Sequence, residues 1–249
     1  MTRFTLAAAV LIGLGHRVLG ALEQCGQAQY DPANYVCWEN QFLCPVTAGE
    51  GLSYCNGACY SKFMYTCNNN ILTLLPPAES AFTLTVSNPA LPQLHDKLVT
   101  AQGLRLWLGG ETKSYCPSVV DPNCPPGNVT SIVAGGFGGA GMNTMVPGGQ
   151  QVYLTPDWNV GYTQAHSAYM PSGSTSTGFA AYQGGGFINL NGNGWGWVAC
   201  PPRASGPAGP EWALFGRNST NAESLDYCTP INLKVTPYPG QGAAAWQYT

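Results

Sequence analysis

Between Cys25 and Cys67 stand eight aromatic side chains, Tyr30, Tyr35, Trp38, Phe42, Tyr54, Tyr60, Phe63 and Tyr65, beside only four charged ones, Asp31, Glu39, Glu50 and Lys62. Such rings transfer no protons. They offer flat apolar faces with polar edges, on which the C–H face of a pyranose stacks while neighbouring amides bond its hydroxyls. A block this small cannot hide eight rings, so some must face water and the rest cover the cysteines as a mini-core. Tyr35, Trp38, Tyr60 and Tyr65 are the expected stacking rings, because they flank Cys37 or bound the segment between Cys59 and Cys67. Gln29, Asn40 and Asn56 are the expected hydrogen-bonding neighbours. Trp38 is the principal candidate, having the largest ring and lying next to Glu39 and Asn40.

Other chemistries find less material. Glycoside hydrolysis needs two carboxyl groups flanking the bond, and the larger part of the chain offers scattered single acids such as Asp121, Asp157, Glu211 and Asp226. His95 and His166 have no nucleophile elbow near them, so no catalytic residue is expected. The run Gly135-Gly136-Phe137-Gly138-Gly139-Ala140-Gly141 lacks the Lys-Ser/Thr of a phosphate loop and reads as a tightly turning segment. Copper-dependent oxidation of polysaccharide needs an N-terminal histidine, which a start near Ala21 does not supply. No metal and no cofactor is expected.

The cysteines set the compartment. Residues 1–20 carry an early Arg3, an apolar run from Phe4 to Leu14 and small residues before a cut after Gly20, the pattern of a secretory signal peptide. All ten cysteines follow it, and in an oxidising compartment an even number reads as disulfides before metal ligands. Removing Arg3 and Arg17 leaves seven basic side chains (9 − 2) against twelve acidic, so nucleic acid and anionic membrane are poor partners. No later run is long and apolar enough to span a bilayer, and AAAWQYT is no lipid-anchor signal, so a soluble, released product is expected. Asn128-Val129-Thr130 and Asn218-Ser219-Thr220 are candidate N-glycosylation sites on the same route.

Cysteine spacing also divides the chain. Cys25, Cys37, Cys44, Cys55, Cys59 and Cys67 crowd into one block, whereas Cys116, Cys124, Cys200 and Cys228 are spread over the rest. The expected organisation is a signal peptide at 1–20, a disulfide-rich module at 21–70, a linker at 71–79 marked by Asn68-Asn69-Asn70 and Pro76-Pro77, and a larger domain at 80–249. The small module has too little core to fold on, and its bridges stand in for one. Its six cysteines allow 15 pairings, which spacing does not decide. In the larger domain, proximity and parity predict Cys116–Cys124 and Cys200–Cys228.

The larger domain shows a period of two, as in Phe82-Thr83-Leu84-Thr85-Val86, Leu104-Arg105-Leu106-Trp107-Leu108 and Gln151-Val152-Tyr153-Leu154, each ended by Gly, Pro or Asn. This predicts an all-β fold, most simply a β-sandwich, with a β-barrel or β-trefoil as alternatives because strand order is not visible. In Gly194-Trp195-Gly196-Trp197 the two tryptophans share a strand face. Trp197 is expected in the core, with Trp195 at the strand end as an accessory ring or buried with it.

The pattern Cys25-Gly26, Tyr30, Tyr35, Cys37, Leu43-Cys44-Pro45, Tyr54-Cys55-Asn56-Gly57-Ala58-Cys59-Tyr60 and Tyr65-Thr66-Cys67 resembles the small cysteine-rich carbohydrate-binding module attached to fungal endo-β-1,3-glucanases. The resemblance implies recognition of β-1,3-glucan. It does not imply hydrolysis, because the catalytic domain of those enzymes is several times longer than this chain. In the larger domain, Gln151-Val152-Tyr153-Leu154, Val160-Gly161-Tyr162-Thr163, Gly178-Phe179, Trp197-Val198-Ala199-Cys200-Pro201 and Glu211-Trp212-Ala213-Leu214 resemble secreted fungal cell wall proteins linked to phialide development. Together these predict a secreted, non-catalytic fungal wall protein whose partner is cell wall polysaccharide. Two alternatives stay open: a glycoside hydrolase whose carboxylate pair meets only in three dimensions, and a secreted effector or inhibitor whose rings meet protein.

Overall fold

The computed structural model describes residues 21–119, 121–134, 138–190, 196–202, 211–217 and 225–249. The signal-peptide segment, part of the Gly-rich run, Trp195 and Asn218 lie outside them. Among the described residues every regular element is a β-strand.

Nine short strands make the N-terminal part: β1 (Glu23–Cys25), β2 (Ala28–Tyr30), β3 (Tyr35–Trp38), β4 (Phe42–Thr47), β5 (Glu50–Gly51), β6 (Ser53–Cys55), β7 (Ala58–Tyr60), β8 (Tyr65–Asn68) and β9 (Ile71–Leu74). They pair antiparallel as β1–β2, β3–β4–β5, β6–β7 and β8–β9. The bridges are Cys25–Cys37, Cys44–Cys59 and Cys55–Cys67. This part is an internal repeat with an offset of 30: Cys25, Tyr30, Tyr35 and Cys37 of the first unit recur as Cys55, Tyr60, Tyr65 and Cys67 of the second. Each unit is two hairpins stapled by its own bridge across 12 residues. Cys44–Cys59 joins the units, and β5 extends the β3–β4 sheet on the way to the second.

The linker expected at 71–79 begins later, because Ile71–Leu74 is a strand. The polar run Asn68-Asn69-Asn70 reads as the start of a connection, yet Asn69 and Asn70 sit at φ 49° and 62°. Left-handed backbone at two successive residues turns a hairpin, and asparagine tolerates it better than most side chains. The equivalent turn of the first unit has Glu39 and Asn40 at φ 52° and 54°.

The larger domain has fourteen strands: β10 (Phe82–Ser87), β11 (Val99–Gln102), β12 (Arg105–Leu108), β13 (Ser114–Tyr115), β14 (Ile132–Ala134), β15 (Ala140–Met142), β16 (Gln151–Leu154), β17 (Val160–Tyr162), β18 (Phe179–Ala181), β19 (Phe187–Asn189), β20 (Gly196–Cys200), β21 (Trp212–Arg217), β22 (Thr229–Pro237) and β23 (Gln247–Tyr248). Ten form one sheet in the order β11-β12-β17-β16-β15-β14-β10-β22-β20-β21. The sheet closes on itself. β12 also pairs β21 at Trp107–Ala213, and Thr85 of β10 bridges Leu98 beside β11, so β10, β11, β12, β21, β20 and β22 form a ring. Of the all-β architectures the strand pattern allows, this connectivity is the closed one, with β11 joined to β10 only through the single Thr85–Leu98 bridge.

The period of two places Phe82, Leu84 and Val86 inside from β10, against Ile231, Leu233 and Val235 from β22. Phe179, Phe187 and Trp197 stack nearly parallel, with centroids 5.4 to 6.3 Å apart, and the Trp197 indole N–H donates to the Phe187 carbonyl at 2.6 Å. Trp197 is therefore core. Cys116–Cys124 and Cys200–Cys228 form, as proximity and parity predict.

The two parts meet through the second unit. Phe63 is buried, and its carbonyl accepts the Gly186 amide at 2.8 Å. A Cβ at Gly185 would stand 2.5 Å from that carbonyl oxygen, so the contact needs glycine. Glu50, buried, is held by Lys62 and by Ser87 of the larger domain.

Candidate functional site

The rings are positioned by hairpins whose turns leave little choice. In β3–β4, Trp38 lies directly opposite Phe42, so the two share a face. The Tyr54 ring of β6 packs on Phe42 with centroids 4.7 Å apart. A row Trp38, Phe42, Tyr54 thus runs from the first unit onto the second. Trp38 keeps 36% of its surface exposed, yet its indole N–H donates to the Leu52 carbonyl at 3.0 Å. The ring is open to solvent and fixed at its edge. Phe42 and Tyr54 are half-buried beside it.

Tyr35 is 43% exposed. It stands three residues before Trp38 on β3, so strand alternation sends the two rings to opposite faces. Tyr60, opposite Ser53, and Tyr65, opposite Leu74, are half-buried. The four expected rings therefore do not make one flat platform. The row reaching Phe42 and Tyr54 is not announced by the residues, because it follows from the hairpin register that the left-handed Glu39-Asn40 turn sets.

Among the expected polar neighbours, Gln29 is exposed opposite Gln24. Asn56 is exposed in the Asn56-Gly57 turn of β6–β7, where its φ is 45°. Asn40 has a structural partner, since its Oδ1 accepts the Gly26 amide at 3.1 Å. That bond ties the two hairpins of the first unit beside the Cys25–Cys37 bridge. Tyr30 donates to the Glu23 carboxylate at 2.7 Å, and this bond raises the tyrosine pKa above its ordinary value.

In the larger domain the titratable groups meet as local pairs, among them Lys113 donating to Glu111 at 2.6 Å. His95 accepts the Asn88 amide at Nδ1 (3.2 Å), with Asp96 3.6 Å from Nε2. His166, exposed at φ 60°, borders a shallow groove of about 640 Å³ with Gln150, Gln151 and Thr163. Glu50 is the one buried carboxylate among the described residues, and Lys62 and Ser87 occupy it. Among the described residues no three His, Cys, Asp or Glu side chains gather as metal ligands. Asn128 is exposed in the loop before β14, whereas Thr130 of the same triplet is buried and bonded to the Ala101 amide at 2.7 Å.

Residues 82–249 match the family described as PhiA-like secreted protein, and residues 24–72 match the family described as carbohydrate binding. A protein of Arthroderma benhamiae named "Uncharacterized secreted protein" is 37% identical over 185 residues, covering 70% of this chain and 88% of that one. The "Primary septum glucan endo-1,3-beta-D-glucosidase" of Schizosaccharomyces pombe is 43% identical over 52 residues, which are 21% of this chain and 5% of that enzyme. No solved structure matches. The chain belongs to the PhiA-like secreted protein family, is secreted, and carries a carbohydrate-binding module at its N-terminal end.

Proposed function

We propose that this PhiA-like secreted protein is retained in the fungal cell wall by stacking β-1,3-glucan on the rings of its carbohydrate-binding module, and that it does so without hydrolysis. The observation that carries the reading is Trp38, exposed over a third of its surface while its N–H is held by Leu52 and its strand is bridged through Cys37. A ring ordered before the sugar arrives loses little entropy when the contact forms, which matters when each sugar contributes weakly.

In this reading Trp38 and the adjoining Phe42 and Tyr54 form the main stacking row. Tyr35, Tyr60 and Tyr65 add contacts on neighbouring faces, Gln29 and Asn56 bond sugar hydroxyls, and Asn40 positions the turn that holds Trp38. The module, expected at 21–70 and extended by β9 to Leu74, serves as the anchor and 80–249 as the part delivered to the wall. Asn128 takes an N-glycan on the secretory route. The glucan assignment draws on the module shared with the fission yeast glucosidase, and the non-catalytic one on how small a part of that enzyme is shared.

Retention of the purified protein on insoluble β-1,3-glucan, chitin and cellulose tests the reading. Depletion by β-1,3-glucan above the other two is expected, with no reducing ends released. Preferential retention on chitin or cellulose would change the ligand, release of reducing sugar would restore the hydrolase, and retention on none would favour a protein partner.

A further inference from the structure

The ring that closes the large sheet has one thin joint, and a groove lies on it. β11 reaches β10 only where Thr85 bridges Leu98, and the Leu98 side chain is left 47% exposed. Leu98 and Thr100 line a groove of about 340 Å³ together with Glu111, Thr112, Asn128 and Val129. That is the lower end of the range for small-ligand sites. Its lining is mixed: Leu98 and Val129 offer apolar surface, while Glu111 and Thr112 offer a carboxylate and a hydroxyl, the combination that holds a sugar ring.

Asn128 is presented there on a fixed backbone. The Gly127 amide donates to the Ala244 carbonyl at 3.0 Å, the Tyr248 hydroxyl to the Val129 carbonyl at 2.8 Å, and the Ala101 amide to the Thr130 hydroxyl at 2.7 Å. A Cβ on Gly127, whose φ is 67°, would stand 2.1 Å from the Ser114 hydroxyl, so this approach needs glycine. Thr130 completes the Asn-Val-Thr triplet, yet it is buried, with the Thr112 hydroxyl 2.7 Å from its own. An enzyme that selects the triplet has to reach that hydroxyl. A sugar therefore enters at Asn128 before β11 and β14 come together, and the groove forms around it.

We infer that the N-glycan on Asn128 seats its first N-acetylglucosamine in this groove and covers Leu98, sealing the joint between β10 and β11. The inference rests on the modification of Asn128 proposed above and gives it a place on the fold. In that modification one amide hydrogen of Asn128 is replaced by a bond to the anomeric carbon of N-acetylglucosamine, and the diphosphate of the lipid carrier leaves as the proton is released. The C–H face and the N-acetyl methyl meet Leu98 and Val129, and ring hydroxyls bond Glu111 and Thr112. The glycan is the occupant the groove favours, because it is tethered to a lining residue and its effective concentration there is high. Burial of Leu98 under the sugar then supports from outside a joint that backbone pairing makes at a single bridge.

The test uses the full-length protein secreted from a yeast host, with occupancy of Asn128 read by peptide mass. An endoglycosidase trims the parent to one N-acetylglucosamine, a peptide N-glycosidase strips it completely, and Asn128→Gln never receives the glycan. Amide exchange over residues 98–102 should be as slow in the trimmed parent as in the untrimmed one. It should be several-fold faster in both the stripped parent and Asn128→Gln, with β22 unchanged in every form. Asn218→Gln, which removes the other candidate glycan, should leave 98–102 as protected as in the parent. An unmodified Asn128 would overturn the modification and the inference together. An occupied Asn128 whose removal leaves 98–102 equally protected would overturn the inference alone. So would acceleration already on trimming, which would place the contact with outer sugars, or acceleration in Asn128→Gln without the same in the stripped parent, which would trace it to the asparagine side chain.

Discussion

The module and the larger domain solve the same problem, ordering short strands, by opposite means. In the module the buried side chains are Cys25, Cys44, Cys55, Glu50 and Phe63; the three cysteines are bridged, and the other two face the larger domain. In the larger domain a continuous core runs from Phe82 to Tyr248, and the sheet around it closes. Covalent bridges therefore free the module's rings from core duty, so aromatic surface can stay outside. The larger domain, relying on burial, has put Phe179, Phe187 and Trp197 where no ligand reaches.

Reduction should separate the two most sharply. Loop closure over 12 to 15 residues makes each module bridge worth about 3 kcal/mol in the chain-entropy picture. A thiol reductant should abolish amide-exchange protection over residues 23–74 while β10 and β22 keep theirs, since Cys200–Cys228 is buried. Simultaneous loss in both parts would show that the module is held by the larger domain and not by its bridges.

The reverse perturbation is Phe187→Ala, which removes the middle of the buried stack. It should cost about 3–5 kcal/mol in urea unfolding of the larger domain. Below that transition the module's bridges and glucan retention should be unchanged. A cost under about 1 kcal/mol would mean the stack is not a keystone of the core.

Alkaline pH discriminates more gently. Burial raises the pKa of Tyr162 and Tyr248 well above the ordinary 10.0. The unfolded chain then releases these protons first, so their contribution is intact below pH 10.0 and is lost as pH climbs toward the folded values. The urea midpoint of the larger domain should fall above pH 10.0, with no matching loss of module bridges. A flat midpoint would contradict the burial of these hydroxyls.

Much of this was legible in the residues. Alternation marked β10, β12 and β16, and spacing paired Cys116 with Cys124 and Cys200 with Cys228. Sheet closure was not, because it depends on contacts such as Trp107 with Ala213, far apart along the chain, that no local pattern encodes. Asn68-Asn69-Asn70 misled because a polar run serves equally as connection or left-handed turn. The 30-residue repeat was present in the cysteine and tyrosine spacing, but the second turn is one residue shorter than the first, so the offset does not carry onto β9. The candidate site was half legible: ring types pointed to Trp38 and Tyr35, while the hairpin register, which brings Phe42 and Tyr54 to Trp38, emerged only with the turn geometry.

The central claim is that an exposed ring on a bridged frame binds glucan while contributing little to folding, and the Trp38→Ala protein tests it directly. Retention on insoluble β-1,3-glucan should fall by the equivalent of about 1–3 kcal/mol, with all five bridges intact by mass and amide protection over 23–74 unchanged. A folded Trp38→Ala protein that binds β-1,3-glucan as the parent does would contradict the account, and so would a module that loses its protection when only this ring is removed.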